Sequence, residues 1–411
     1  MTQITNVHAT EILDSRGNPT VQVTLENQHA TGTAKVPSGA STGQHEAHEL
    51  RDDDHDRYHG RGVQNAVRNI TDTIASSITK TSFTDQESFD ETLLDLDGTN
   101  NKSRLGANAL LACSMAYARL TANTEGRPLH AVFGDKPYTT PTPFCNIING
   151  GDHAGNDLDI QEFMITPTTV TRFDEATRVV TETYHELKAL IADTYGSQHT
   201  GVGDEGGFAP PINDAREALN LITEAASNAG HADAVNIAID AAALEFYDAD
   251  NDTYRLAGNE YNHDGLQSYY EELIDEYSII SLEDPFHDDA FAAFADLQDT
   301  VGDACQVVTD DLTVSNPERV EHAVETRSGR ALLLKVNQIG TVTEARRAAY
   351  LAQSAGWNVM VSHRSGETED SFIADFAVGI NAAQVKIGAP CRSDRTAKYN
   401  RLLTIQQRLH D

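Results

Sequence analysis

Lysine is scarce in this 411-residue chain: eight lysines stand with 22 arginines against 63 acidic residues, giving a formal charge of −33. Without a basic footprint the chain is not expected to bind nucleic acid, because phosphate backbones are held by clustered cations. No stretch approaches the about 18 consecutive apolar residues that a membrane span requires. The opening, MTQITNVHATEILDSRG, has no basic and then apolar leader, which predicts a soluble protein that is not exported. Cysteine is confined to Cys113, Cys145, Cys305 and Cys391, with no CxxC pair. That spacing argues against a zinc ribbon or disulfide framework and fits a reducing cytoplasm. Self-repulsion at this charge destabilises a compact state unless counter-ions screen it, so the surface is expected to be adapted to concentrated salt.

What the chain does have is a series of apolar runs that end in reactive groups. The run ALLLK ends in Lys335, with VNQIG following. A strand apolar on both faces belongs inside a parallel sheet. The same design recurs in VNIAID ending in Asp240, IISLED carrying Glu283, CQVVTD ending in Asp310, WNVMVSH ending in His363 and AQVKIG carrying Lys386. Successive sites lie about one strand plus one helix apart, the period of a (βα) unit. Between them, Asn316-Pro317 reads as an N-cap with proline at the first helical position, Thr341 and Glu344 as a capping box, and Gly329 and Gly356 as helix stops. The fold class is therefore α/β, a (βα)8-type barrel with its reactive face at the carboxyl ends of the strands.

Ahead of the barrel, residues 3 to about 36 alternate apolar and polar, as in Val21, Val23 and Leu25, and predict a small antiparallel sheet. The Ser, Thr and Gly of PSGASTGQHEAHELRD, residues 37–52, suit a mobile loop, and the run Asp52–Asp56 a solvated one. Helical spacing follows at Val63, Val67, Ile70, Ile74 and Ile78, then at Phe89 and Leu93, and Leu105 to Leu120 reads as a buried helix. Residues 1–135 are thus expected to form an α+β capping domain, with Pro137 to Pro143 as the linker and 136–411 as the barrel domain. Three further stretches look like sites: NGGDHAGN with His153, QEFMI with Gln161 and Glu162, and VGDEGGFAP with Glu205. Each alone reads equally well as a surface turn or strand end.

Taken together and in order, DSRGNPT, PSGASTG, RYHGRGV, NKSRLGANA, NGGDHAGN, QEFM, GDEGGFAP, LEDPF, DDLTVSN, LLLKVNQIGT, VSHRSGETED and KIGAP resemble the enolase family over nearly the whole chain. The resemblance implies a barrel that starts ββαα before its regular (βα) repeat. It also implies reversible dehydration of 2-phospho-D-glycerate to phosphoenolpyruvate, in glycolysis and gluconeogenesis. It casts Asp240, Glu283 and Asp310 as ligands of a tightly held Mg2+, and Ser41 as a ligand of a second Mg2+ that arrives with substrate. Lys335 resembles the general base, and Glu205, supported by Glu162, the acid that protonates the departing hydroxyl. His153 and Lys386 resemble contacts near the leaving group and the substrate carboxylate, and Arg364 and Ser365 the phosphate clamp. Gln161, His363, Glu283 and Asp310 fall among the substrate contacts as well. The field of the bound Mg2+ ions is expected to hold Lys335 neutral more easily than water would, as a base must be.

Where the family usually carries a glutamate and an arginine that meet across a dimer interface, this chain has Gln22 and Thr404. A homodimer or higher homo-oligomer is still expected, resting on other contacts. Leu244 stands for a usual serine and Asp288-Asp289-Ala290-Phe291 for a segment with tryptophan, neither at a residue given a role. Other readings of the same residues are a barrel aldolase using Lys335 as a Schiff base, a related acid dehydratase, and an enolase-like binding or scaffold protein.

Overall fold

The computed structural model describes residues 2–39 and 43–410. The antiparallel sheet expected at the start is there: β1 (Asn6–Leu13), β2 (Pro19–Glu26) and β3 (Thr31–Lys35) pair in sequence order. The period-2 pattern puts Val21, Val23 and Leu25 on a wholly buried face. On it lies the helix read as apolar all round, α2 (Ala107–Glu125), which follows α1 (Gln86–Asp97). Gly32 makes the close approach possible, since a Cβ there would sit 2.2 Å from the Ala116 carbonyl oxygen. The spacing from Val63 to Ile78 is helical, as expected, but its middle, Asn69–Ile74, winds as a π-helix.

Eight strands close the barrel: β4 (Thr142–Asn149), β5 (Glu162–Thr166), β6 (Asn236–Asp240), β7 (Ile279–Glu283), β8 (Gln306–Thr309), β9 (Ala331–Leu334), β10 (Asn358–Ser362) and β11 (Gln384–Lys386). The ring runs in that order and returns from β11 to β4. β5 runs antiparallel to both neighbours and every other pairing is parallel. Helices α3 (Phe173–Tyr195) and α4 (Ala215–Asn228) follow β5 in succession, the ββαα start that the resemblance implied. The regular repeat then adds α5 (His263–Glu276), α6 (Phe291–Val301), α7 (Pro317–Glu325), α8 (Val342–Ser354), α9 (Phe372–Gly379) and α10 (Ser393–His410). A three-stranded meander, Tyr247–Asp248, Thr253–Leu256 and Asn259–Tyr261, interrupts it before α5.

Two boundaries differ from the sequence reading. The linker is shorter than Pro137 to Pro143, because Thr142 and Pro143 already pair with β11 in β4. Gly329 does not stop a helix: α7 ends at Glu325, Thr326 caps it, and Arg327 takes the positive φ of 58°. Gly329 serves packing instead, since its Cβ would lie 2.9 Å from the Val307 carbonyl oxygen. The caps at Asn316 and Gly356 are as read, while the Thr341–Glu344 box is half made, the Glu344 carboxylate taking the Thr341 hydroxyl and not its amide. Asn316 accepts from the Glu318 amide, Thr341 accepts from the Glu344 amide, and Gly356 has a φ of +81°.

The barrel interior shows why reactive groups end these strands. Phe144, Met164, Ala238, Val308, Leu333 and Met360 form a buried cluster of their own inside the ring. Strand alternation puts the residue two positions further along on the same inner face, and those positions hold Asn146, Asp240, Asp310 and Lys335. On the reversed β5 the corresponding step runs backward, from Met164 to Glu162. The two domains meet at the start of α8, where the Ser114 hydroxyl accepts from the Val342 amide and Asp90 from both the amide and hydroxyl of Thr343. Burial raises the Asp90 carboxyl to about 6.

Candidate active site

One cavity at the carboxyl end of the barrel is lined by His153, Gln161, Glu162, Glu205, Asp240, Asp310, Lys335, His363, Arg364, Ser365 and Lys386. Glu283 lies buried behind it, with one carboxylate oxygen on Lys386. Ser41 falls outside the described residues. The inner strand positions are not water-exposed termini: Asp240, Glu283, Asp310 and Lys386 are all buried.

Three adjacent strands carry acids in register, Glu162 beside Asp240 and Asp240 beside Glu283. Lys386 reaches across to all three, with Nζ 2.8 Å from Asp240, 2.7 Å from Glu283 and 3.4 Å from Glu162. Burial disfavours its ammonium form, but these acids outweigh burial and hold Lys386 well above the usual lysine range, Asp240 contributing most. Glu283 is pushed well up by burial and then by Asp240. The three expected metal ligands are therefore not gathered around an empty centre. Lys386 sits between two of them, and Lys335 is bonded to the third.

Lys335 follows β9 and opens the short helical turn Val336–Ile339, with its amide donating to the Ser315 hydroxyl at 2.8 Å. Its Nζ donates to Asp310, whose other oxygen accepts from Gln338 at 2.8 Å. Without bound cations, Lys335 is governed by burial and by the acid it touches. Burial does favour the neutral amine, but the Asp310 carboxylate outweighs it and raises Lys335 above the ordinary lysine value.

At the opposite wall, His153 Nδ1 lies 3.6 Å from Glu162 and 3.7 Å from Glu205. Asn146 donates to Glu205 at 3.0 Å, and His363 Nε2 lies 3.4 Å from it. The two carboxyls titrate apart. Burial, and then the neighbouring Glu205, raises Glu162 well above the usual range. Burial also opposes ionisation of Glu205, yet His363 and then His153 hold it low. Burial drives His363 itself down to about 3, and its buried Nε2 faces Glu205 without closing a hydrogen bond. The two shifts thus favour the proton on Glu162 over Glu205.

Several lining groups were invisible to sequence reasoning. Arg364 is gripped by Glu46, from the stretch read as a mobile loop, with both contacts at 3.0 Å. The described part of that stretch docks on the barrel, Ser38 pairing with Gly366 and the Ala47 amide donating to Gln338. Arg16, of DSRGNPT, donates to the Ser365 hydroxyl at 3.3 Å and to the Gly39 carbonyl at 2.8 Å. Asp284 accepts from the amides of Asp310 and Asp311. Leu244, set aside as lying at no residue with a role, lines the cavity. Only the GASTGQHE string hinted at Glu46, whose partner lies more than three hundred residues away.

The donor set suits a hard divalent cation. Eight lining carboxylates, Glu46, Glu162, Glu205, Asp240, Glu245, Asp284, Asp310 and Asp311, face three fixed cations, Lys335, Arg364 and Lys386. Glu283 Oε2 is buried with no hydrogen-bond partner. Carboxylate oxygens in surplus, with Glu162 Oε2 as well as Glu283 Oε2 lacking a hydrogen-bond partner, are what magnesium-type ions take. Two groups already converge within 4.8 Å: His153 with Glu162 and Glu205, and Asp284 with Asp310 and Asp311.

Known proteins point the same way. Residues 4–133 match the family model "Enolase, N-terminal domain" and residues 137–411 match "Enolase, C-terminal TIM barrel domain". The chain is 52% identical to the enolase of Methanopyrus kandleri, over 100% of this chain and 96% of that protein. It is 51% identical to that of Thermococcus kodakarensis, over 99% and 95%. Identity to enolase 1 of Entamoeba histolytica is 48%, over 99% and 96%. With an acid-lined barrel mouth, a buried lysine at its centre and likeness over the full length, the chain belongs to the enolase family.

Proposed function

We propose that the cavity binds 2-phospho-D-glycerate and eliminates water to give phosphoenolpyruvate, a hydro-lyase reaction run reversibly. Lys335 takes the proton α to the carboxylate, and the Glu162–Glu205 pair supplies a proton to the departing hydroxyl. His153, within 3.7 Å of both acids, orients them. Arg364 and Ser365 receive the phosphate; a guanidinium fork matches its oxygens. Gln161, His363 and Lys386 complete the substrate wall. The observation that carries this reading is that the Lys335 amine, at the end of β9, and the buried Glu162–Glu205 pair, from β5 and a turn, face one cavity.

A positioned base alone contributes ~10²–10⁴ in rate, or roughly 3–5 kcal/mol, too little for removing a proton beside an existing negative charge. Asp240, Glu283 and Asp310 would hold one Mg2+, and Ser41 a second that comes with substrate. When bound, these ions supply positive charge opposite the carboxylate, where a pair of unit charges ~4 Å apart is worth about 4 kcal/mol at an effective dielectric near 20. Lys335 has to release Asp310 and lose its proton before it can accept another.

We further place the domain division between residues 135 and 136, the protein in the cytoplasm as a homodimer or higher homo-oligomer, and its acidic surface in concentrated salt. The test of the reaction is 2-phosphoglycerate turnover in strong salt, with and without chelator. The parent is expected to form product only with magnesium, and Lys335→Ala to fall to near background. An unchanged rate in Lys335→Ala would overturn the assignment.

A further inference from the structure

The His363 ring is held at both edges. Its Nδ1 meets a guanidinium nitrogen of Arg395, and its Nε2 lies 3.4 Å from Glu205. A guanidinium carries donors only and keeps its protons in proteins. Nδ1 must therefore be the acceptor, which leaves the ring proton on Nε2, facing the carboxylate. Arg395 comes from α10 and is wholly buried. Its remaining donations go to backbone carbonyls, at 2.6 Å to Arg364, 2.7 Å to Ser365 and 3.1 Å to Asp204.

The surroundings are built to admit this contact. At Gly388, with φ +75°, a Cβ would fall 2.6 Å from the Glu205 carbonyl oxygen, 2.9 Å from Arg395 Cδ and 3.1 Å from His363 Cε1. Only glycine leaves that space open. The charged groups facing the ring are Glu205 from its loop, Arg395 from α10 and Lys386 from β11. Glu205 favours a second proton on the imidazole, while burial and the two cations oppose it.

Resting on the reading of Glu205 as the acid, we propose that Arg395 is a positioning residue that locks His363 in its neutral Nε2–H tautomer. His363 is then a permanent hydrogen-bond donor to Glu205 and cannot take up a second proton. The proton that leaves with the hydroxyl is stored on the two carboxyls and never on the ring. Through the Arg364 and Ser365 carbonyls, the same guanidinium also fixes the segment that holds the phosphate clamp.

Nitrogen-15 NMR of the histidine-labelled full-length protein tests the lock, with His363 assigned by the signal lost in His363→Gln. In the parent, Nε2 is expected to be protonated and Nδ1 bare from about pH 5 to about pH 8, across the range where an ordinary histidine titrates. In Arg395→Met, Nδ1 loses its donor, and the ring is expected to populate both neutral tautomers, while burial and Lys386 still oppose a second proton. With part of the rings turned away from Glu205, kcat falls roughly tenfold or more, part of the ~10²–10⁴ that a positioned proton-transfer group contributes. Arg395→Lys, which keeps a donor, restores the parent tautomer. A parent ring protonated on Nδ1, or a folded Arg395→Met with the tautomer unchanged, overturns the proposal. Should Arg395→Met fail to fold, the parent spectrum decides. These spectra require no turnover. An unlocked ring in a protein that converts 2-phosphoglycerate overturns the lock alone, whereas a locked ring in a protein without that activity overturns the assigned reaction alone.

Discussion

Both terminal nitrogens of Arg364 lie 3.0 Å from oxygens of Glu46, so a fork from the barrel mouth closes on a carboxylate of the amino-terminal domain. The pair is buried, with side chains 4% and 7% exposed, and Arg364 is the group assigned to the substrate phosphate. Removing one partner of a buried ion pair costs about 3–5 kcal/mol. Glu46→Gln is therefore expected to lower the unfolding free energy of the empty protein by about 3 kcal/mol. Phosphate should restore more of the melting temperature in the variant than in the parent, because it takes the place the carboxylate vacates. Equal shifts in both proteins would show that Arg364 does not meet phosphate.

Divalent metal should stabilise the folded chain in the absence of substrate. A ligand at about 100 times its dissociation constant adds about 2.7 kcal/mol. Magnesium is expected to raise the melting temperature of the parent, and Asp240→Asn or Glu283→Gln to remove most of that rise. Thermal unfolding against magnesium concentration measures it, and a parent indifferent to the ion would refute the assigned ligands.

The raised Glu162 carboxyl makes a signed prediction for pH. A group that holds its proton more tightly when folded contributes stability that is complete below its unfolded value, 4.5, and is lost as pH climbs through the folded value. Glu162→Gln cannot ionise and escapes that loss. The unfolding free energy of Glu162→Gln relative to the parent should therefore grow from about pH 5 to about pH 8, as read by urea unfolding. The reverse slope would place the proton on Glu205.

Charge repulsion predicts a salt response. The formal charge of −33 is spread over the whole chain, and molar salt shortens the screening length to about 3 Å. The melting temperature is expected to climb from dilute to molar potassium chloride. A flat or falling curve would mean that the acids are not limiting.

The strand-end residues were legible because burial on both faces and a reactive terminus combine in few ways, and Asp240, Asp310, Lys335 and Lys386 all fell where that pattern put them. What escaped was long-range. Glu46 meets Arg364 only once the first domain has folded over the barrel, and Arg395 meets His363 only once α10 has packed against the barrel. Gly329 was misread because glycine marks both helix ends and close packing, and only the Val307 carbonyl beside it distinguishes the two. The contact of Lys335 with Asp310 was not legible, because strand spacing does not show which neighbour a terminal group meets.

The reversed direction of β5 has a consequence for how firmly the acid pair is held. Every other strand delivers its side chains to the mouth at the point where the chain leaves the sheet, so their aim depends on the loop that follows. Glu162 instead opens its strand, paired with Asn149 on one side and Asp240 on the other. One acid of the pair is thus anchored in the wall while Glu205 rides on a turn, and adjusting that turn can tune their separation without disturbing the barrel.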